Sequence, residues 1–251
     1  MKTMYRLVVI MFTAVALLML SAPVYASQMD DRIESSAKKS YVFKNYLQGD
    51  DIKVQSKDGA VTLTGTVSEE YQKSLAQETV ANLPDVKSVD NRLKVKGAPP
   101  AKNSDAWITT KVKAILLFHR NVSAVTEVNT TNGIVTLRGH ASSEAEKDLT
   151  TEYAKDVEGV KDVKNDMIVG KASKKKQSVG GQIDDASITA QVKMTLLYHR
   201  STSALNTSVA TKRGVVTLSG KAKNAAEKDL AAKYANDVKG VKSVNNQMTI
   251  G

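Results

Sequence analysis

Apolar positions along the chain fall into two periods, and the middle third shows both most clearly. Ile108, Val112, Ile115 and Leu116 are spaced by four, seven and eight residues, which places them on one face of a helix. Ser104 or Asp105 supplies a cap, so the spacing predicts a helix running to about His119. The period then changes to two. Segments 125–130 and 134–140 read as strands, with Val135 and Leu137 on one face and Thr136 and Arg138 on the other. Asn132-Gly133 between them suits a tight hairpin turn that needs positive φ. Ser143-Glu144-Ala145-Glu146 forms a capping box that opens a second helix to about Val157. Glu158-Gly159 ends that helix, and 160–169 reads as a third strand. The predicted order is αββαβ.

The same order returns twice more. A strand motif ends in glycine at Val61-Thr62-Leu63-Thr64-Gly65, Val135-Thr136-Leu137-Arg138-Gly139 and Val216-Thr217-Leu218-Ser219-Gly220. Some twenty residues later comes Val86-Lys87-Ser88-Val89, Val160-Lys161-Asp162-Val163 or Val241-Lys242-Ser243-Val244, followed by Asn91, Asn165 or Asn246. Repetition in register is the signature of tandem units. Asp58-Gly59 and Arg213-Gly214 take the turn position in the outer copies, and Asn224 with Glu227 repeats the capping box. The first copy departs there, because Tyr71 stands three residues after Ser68; its first helix also ends in Asn45-Tyr46 where the others have His-Arg. The predicted units are 27–97, 104–170 and 184–251. They are joined by a stiff segment at 98–103 holding Pro99-Pro100 and a flexible basic one at 171–183. Each unit is near the lower size limit for its own core. An α+β unit with two helices on one face of a mixed three-stranded sheet is the economical solution, and it leaves little room for an interior cavity.

Residues 1–26 read differently. Lys2 and Arg6 precede an uncharged run from Leu7 to Leu20, and Val24-Tyr25-Ala26 offers a small-residue cleavage site. That is the form of a secretory signal, too short to be a comfortable membrane span, and it predicts export to the periplasm with cleavage after Ala26. The absence of cysteine excludes thiolate chemistry, disulfides and lipidation on cysteine. The formal net charge is +10, and the excess lies late in the chain: residues 184–251 carry ten basic against five acidic side chains. A basic exported protein favours anionic partners such as phospholipid head groups, and export argues against nucleic acid.

The V-T-L-x-G strand, the helix after it and the G-V-K-x-V-x-N strand together resemble the BON domain, the bacterial OsmY and nodulation module. The resemblance covers three copies and nearly all of the chain after residue 26. It implies tandem αββαβ modules, an envelope location, binding to phospholipid surfaces and a part in osmotic or envelope stress. The missing lipidation cysteine makes the chain similar to the soluble periplasmic OsmY type.

Trp107 is the sole tryptophan. Lys111 and Phe118 lie on nearly the same helical line, about 100° round from the core position Ile108. An aromatic beside a lysine suits a lipid interface, and it equally suits packing over a core edge or a neighbouring module. Lys174, Lys175 and Lys176 add a basic run that suits the same surface. His119 and His199 repeat before an arginine and read as helix C-terminal residues or a weak pH-sensitive surface element. The repeated glycines read as backbone geometry. No catalytic constellation, cofactor motif or metal spacing is present, so neither cofactor nor metal is expected. The expectation is a non-enzymatic module array that binds anionic phospholipid membranes. The alternative is a chaperone-like or adaptor protein whose partners are envelope proteins. Oligomeric state is not legible.

Overall fold

The computed structural model describes residues 27–122, 127–170, 182–202 and 206–251. The proposed signal and Lys174, Lys175 and Lys176 lie outside the described residues. Module one comprises α1 (27–39), α2 (Tyr41–Asn45), β1 (Asp51–Lys57), β2 (Ala60–Val67), α3 (Glu70–Ala81), β3 (Ser88–Asn91) and β4 (Lys94–Val95). Module two comprises α4 (Asp105–Phe118), β5 (Glu127–Thr131), β6 (Ile134–Arg138), β7 (His140–Ala141), α5 (Glu144–Lys155), β8 (Asp162–Asn165) and β9 (Ile168–Val169). Module three comprises α6 (Asp185–Tyr198), β10 (Thr207–Lys212), β11 (Val215–Ala222), α7 (Ala225–Asn236), β12 (Ser243–Asn246) and β13 (Thr249–Ile250). The fold is α+β, as the periodicity predicts.

In each module an antiparallel hairpin is joined by a third strand parallel to its second member, giving the orders β1-β2-β3, β5-β6-β8 and β10-β11-β12. The third strand is broken into two short pieces, as in β12 and β13, which both pair with β11. The repeated asparagine makes that break. Asn91, Asn165 and Asn246 each donate a side-chain amide to a carbonyl of the second helix, at Lys73, Lys147 and Lys228. Each then accepts from the amide two residues on, at Leu93, Met167 and Met248, which turns the strand and drops that side chain into the core.

A second device fixes the hairpin. The turn residues Asp58, Asn132 and Arg213 all have φ of 54°, as a type I′ turn requires. Two turn amides in each module donate to one aspartate in the first helix. Asn132 and Gly133 donate to Asp105 at 2.8 Å each, and Arg213 and Gly214 donate to Asp185 at 2.7 and 2.8 Å. Asp58 and Gly59 donate to Asp30 in the same way. A capping exchange also opens the helix after the hairpin in every module; in modules two and three Ser143 and Asn224 accept from the Glu146 and Glu227 amides, and those carboxylates accept from the Ser142 and Lys223 amides just before the cap. In the first it lies one residue beyond Ser68: the Gln72 side chain accepts from the Glu69 and Ser68 amides.

The modules do not stand apart. On α6, Ser187, Gln191 and Thr195 are as buried as Ile188 and Val192. Module three's own sheet covers one side of α6, while α3 of module one and α4 of module two cover others. The Tyr41 amide donates to Asp184, the Val42 amide to the Ser187 hydroxyl, and Lys193 pairs with Glu78 at 2.9 Å. Among the described residues, no helix is long and apolar enough to cross a membrane.

Candidate functional site

The side chains expected to face a lipid surface lie at the junction of the modules. Phe118 is fully buried, with its ring edge-on to Tyr46 and Tyr71 of module one at centroid distances of 5.7 and 6.5 Å. It is unavailable to a membrane, because helix α4 is overlaid by another module along that line. Trp107 is half-buried against the core edge. The Lys111 ammonium sits 3.8 Å from the Trp107 ring centroid and 4.8 Å from that of Tyr198 in module three. Burial lowers the pKa of Lys111. The aromatic-plus-lysine pattern thus serves a cation–π contact between modules, which is the packing alternative that the spacing left open.

The repeated histidines are not surface residues. His119 and His199, the C-caps of α4 and α6, are buried at the junction of modules two and three, with Nε2 atoms 3.3 Å apart. Each ring stacks on a tyrosine of its own module: His119 on Tyr153 and His199 on Tyr234, both at 3.8 Å between centroids. The junction has an approximate two-fold pattern. The Arg120 amide donates to the Asp237 carbonyl at 2.8 Å, and the Arg200 amide donates to the Asp156 carbonyl at 2.7 Å. Tyr153 donates its hydroxyl to the Asp237 carboxylate, and Tyr234 donates to that of Asp156. The Arg120 guanidinium donates to the Asn236, Val238 and Val241 carbonyls.

This network fixes the tautomers. Asp156 accepts from Nδ1 of His199 at 3.1 Å, so Nε2 of that ring carries a lone pair. Nε2 of His119 must then donate to it, which leaves Nδ1 of His119 unprotonated; that atom makes no hydrogen bond. Burial pushes the pKa of His119 down to about 3, helped by His199, Lys239 and Arg120 and opposed by the Asp237 carbonyl. Burial also lowers that of His199, against the pull of Asp156. The sequence signal was a paired one. Tyr-Ala-x-Asp-Val occurs at 153–157 and 234–238, in the two copies that carry His-Arg, while the first copy has Thr79 and Asn82 at the matching positions.

The outer sheet faces carry the other electrostatic contrast. Module two exposes Glu127, Asp162 and Ile168 among Asn129, Ile134 and Arg138, and module one exposes Asp51 and Asp90 among Lys53, Lys57 and Lys94. The matching face of module three is Ser208, Ala210, Lys212, Val215, Thr217, Ser219, Lys221, Ser243, Asn245 and Thr249, with no carboxylate among them. Four of that module's acids have internal duties. Asp184 caps α6, Glu227 accepts from the Lys223 amide ahead of α7, Asp185 clamps the hairpin and Asp237 holds Tyr153.

The succession of motifs matches the BON domain at residues 29–97, 104–171 and 184–251. This chain is a member of the BON domain family. It is similar to "Osmotically-inducible protein Y" of Escherichia coli (strain K12), with 38% identity over 145 residues, covering 57% of this chain and 71% of that protein. It is also similar to "Uncharacterized protein in gshII 5'region" of Anaplasma centrale, with 33% identity over 116 residues, covering 45% of this chain and 77% of that protein. Among solved structures, CdsD, a structural protein of the type III secretion system of Chlamydia trachomatis, aligns over 87% of this chain and 90% of its own at 16% identity, with a TM-score of 0.24. Among the described residues of these three BON domains, no group of His, Asp or Glu side chains is arranged to hold a metal ion.

Proposed function

We propose that this BON protein is a non-enzymatic osmotic-stress protein of the cell envelope that docks on anionic phospholipid surfaces through the outer sheet face of module three. The observation that carries this reading is the absence of carboxylates from a flat strand face that holds Lys212 and Lys221, with Arg213 and Lys242 at its turn end. Small hydroxyl and amide side chains between the lysines let a head-group layer approach closely, and each lysine near such a layer contributes about 1 kcal/mol at low salt. The basic run Lys174–Lys176 precedes the same module in the sequence, and the osmotic reading follows the similarity to osmotically-inducible protein Y of Escherichia coli.

A client-binding chaperone needs a contiguous apolar patch. Ile134 and Ile168, 45% and 64% exposed, sit in two separate sheets, β5-β6-β8 and β7-β9, and Leu197, Val215 and Ile250 lie on another module. The test is co-sedimentation of residues 27–251 with anionic and zwitterionic vesicles at low and high salt. Binding to anionic vesicles that fades with salt is expected. Equal binding to both vesicle types at both salt levels contradicts the proposal.

A further inference from the structure

We propose that the buried His119–His199 pair is an acid-sensitive latch, which keeps modules two and three docked near neutral pH and lets them part as protons enter the junction. The argument starts from geometry. Two rings with facing nitrogens 3.3 Å apart share one proton between them, and a second proton there makes a buried imidazolium and sets two N–H groups against each other. The open proton site is Nδ1 of His119, which makes no hydrogen bond in the docked state; the Asp237 carbonyl favours its protonation, and burial outweighs that.

The surroundings do not welcome charge. On the His119 side the junction presents Tyr153, the Asp237 carboxylate already taken by Tyr153, and the cations Arg120 and Lys239, the latter bonded to the Leu117 carbonyl. On the His199 side it presents Tyr234, Arg200 and the Asp156 carboxylate, which already accepts from Tyr234, Ser201 and His199 itself. Every element that packs on the pair, the ends of α4, α5, α6 and α7, contributes one of these groups. Three cations face two committed carboxylates.

Linkage gives the direction. Both histidines have docked pKa values below the ordinary value, with burial as the main cause in each. Docking is therefore fully favoured above about pH 6.5 and weakens as pH falls below it. Between about pH 7 and about pH 5, one histidine that is neutral when docked and ordinary when free weakens docking roughly 25-fold, and two weaken it roughly 600-fold. At His199 the hydrogen bond to Asp156 opposes this effect. Module one is held to α6 by contacts that contain no histidine, among them Lys193 with Glu78, so the opening is confined to the two-three junction. It uncovers the stacked Tyr153 and Tyr234.

The test is hydrogen exchange on the full chain after residue 26, at about pH 7 and about pH 5, corrected for intrinsic exchange. The reporters are the amides of Arg120, Lys239 and Arg200, whose acceptors, the Asp237, Phe118 and Asp156 carbonyls, lie across the junction. Their protection is expected to fall at least roughly 25-fold at the lower pH, while amides within β2, β6 and β11 keep theirs. In the double variant His119→Gln, His199→Gln the pH dependence is expected to vanish. Equal junction protection in the wild-type chain at both pH values overturns the latch, whether or not the variant folds. So does a folded variant that keeps the wild-type pH response.

Discussion

At Gly220 a methyl group would meet the Asn206 carbonyl at 1.9 Å, and at Gly65 it would meet that of Asp51 at 1.7 Å; both glycines hold φ near 118°. The strand there bends back against its hairpin partner, and only a residue without Cβ fits. Gly220→Ala is expected to lower stability by about 2 kcal/mol or more, measurable as a fall in the urea midpoint. The opposite sign is expected at Arg213. Its φ of 54° is a left-handed turn position that asparagine, the residue at the same place in module two, adopts more readily. Arg213→Asn should raise stability by roughly 0.5–1 kcal/mol, provided Asp185 still clamps the turn. The glycines were legible in the sequence, because a glycine that recurs at a strand end reports backbone geometry. The histidines were not. His119 and His199 look like ordinary helix ends until the facing ring and the crossed Tyr153–Asp237 and Tyr234–Asp156 bonds are seen, and those depend on where the other module docks.

Elements whose partners are local were read from spacing alone. The hairpin at Asn132-Gly133, the capping boxes at Ser143 and Asn224 and the two helices of module two fall where periodicity and turn chemistry place them, within a residue or two at the ends. In module one the cap moved to Glu69 because Gln72 performs the task expected of a glutamate. Helix α6 is the element that spacing misreads. Its polar residues Ser187, Gln191 and Thr195 are buried, since α3 of module one and α4 of module two pack on it beside its own sheet. The strand break was visible only as a recurring asparagine without a role. Removing the Asn165 side chain leaves the Met167 amide without its partner and takes one donor from the Lys147 carbonyl. Asn165→Ala is therefore expected to cost about 2 kcal/mol, with the loss appearing first as faster amide exchange at Met167.

For the whole molecule, the structure replaces three beads on a thread with one packed body, and this changes which surface is free. Phe118→Ala is expected to destabilise the chain by about 3–5 kcal/mol through the junction with Tyr46 and Tyr71, without removing a lipid contact. The outer sheet faces stay open, and among the described residues only that of module three lacks carboxylates. Modules one and three make the decisive comparison, since both faces carry lysines. Co-sedimentation with anionic vesicles at low salt should weaken roughly thirtyfold for Lys212→Gln with Lys221→Gln, from about 1 kcal/mol per lysine. It should change little for Lys53→Gln with Lys57→Gln, whose face holds Asp51 and Asp90. Equal losses from the two pairs, or no loss from either, would contradict a docking role for module three's sheet.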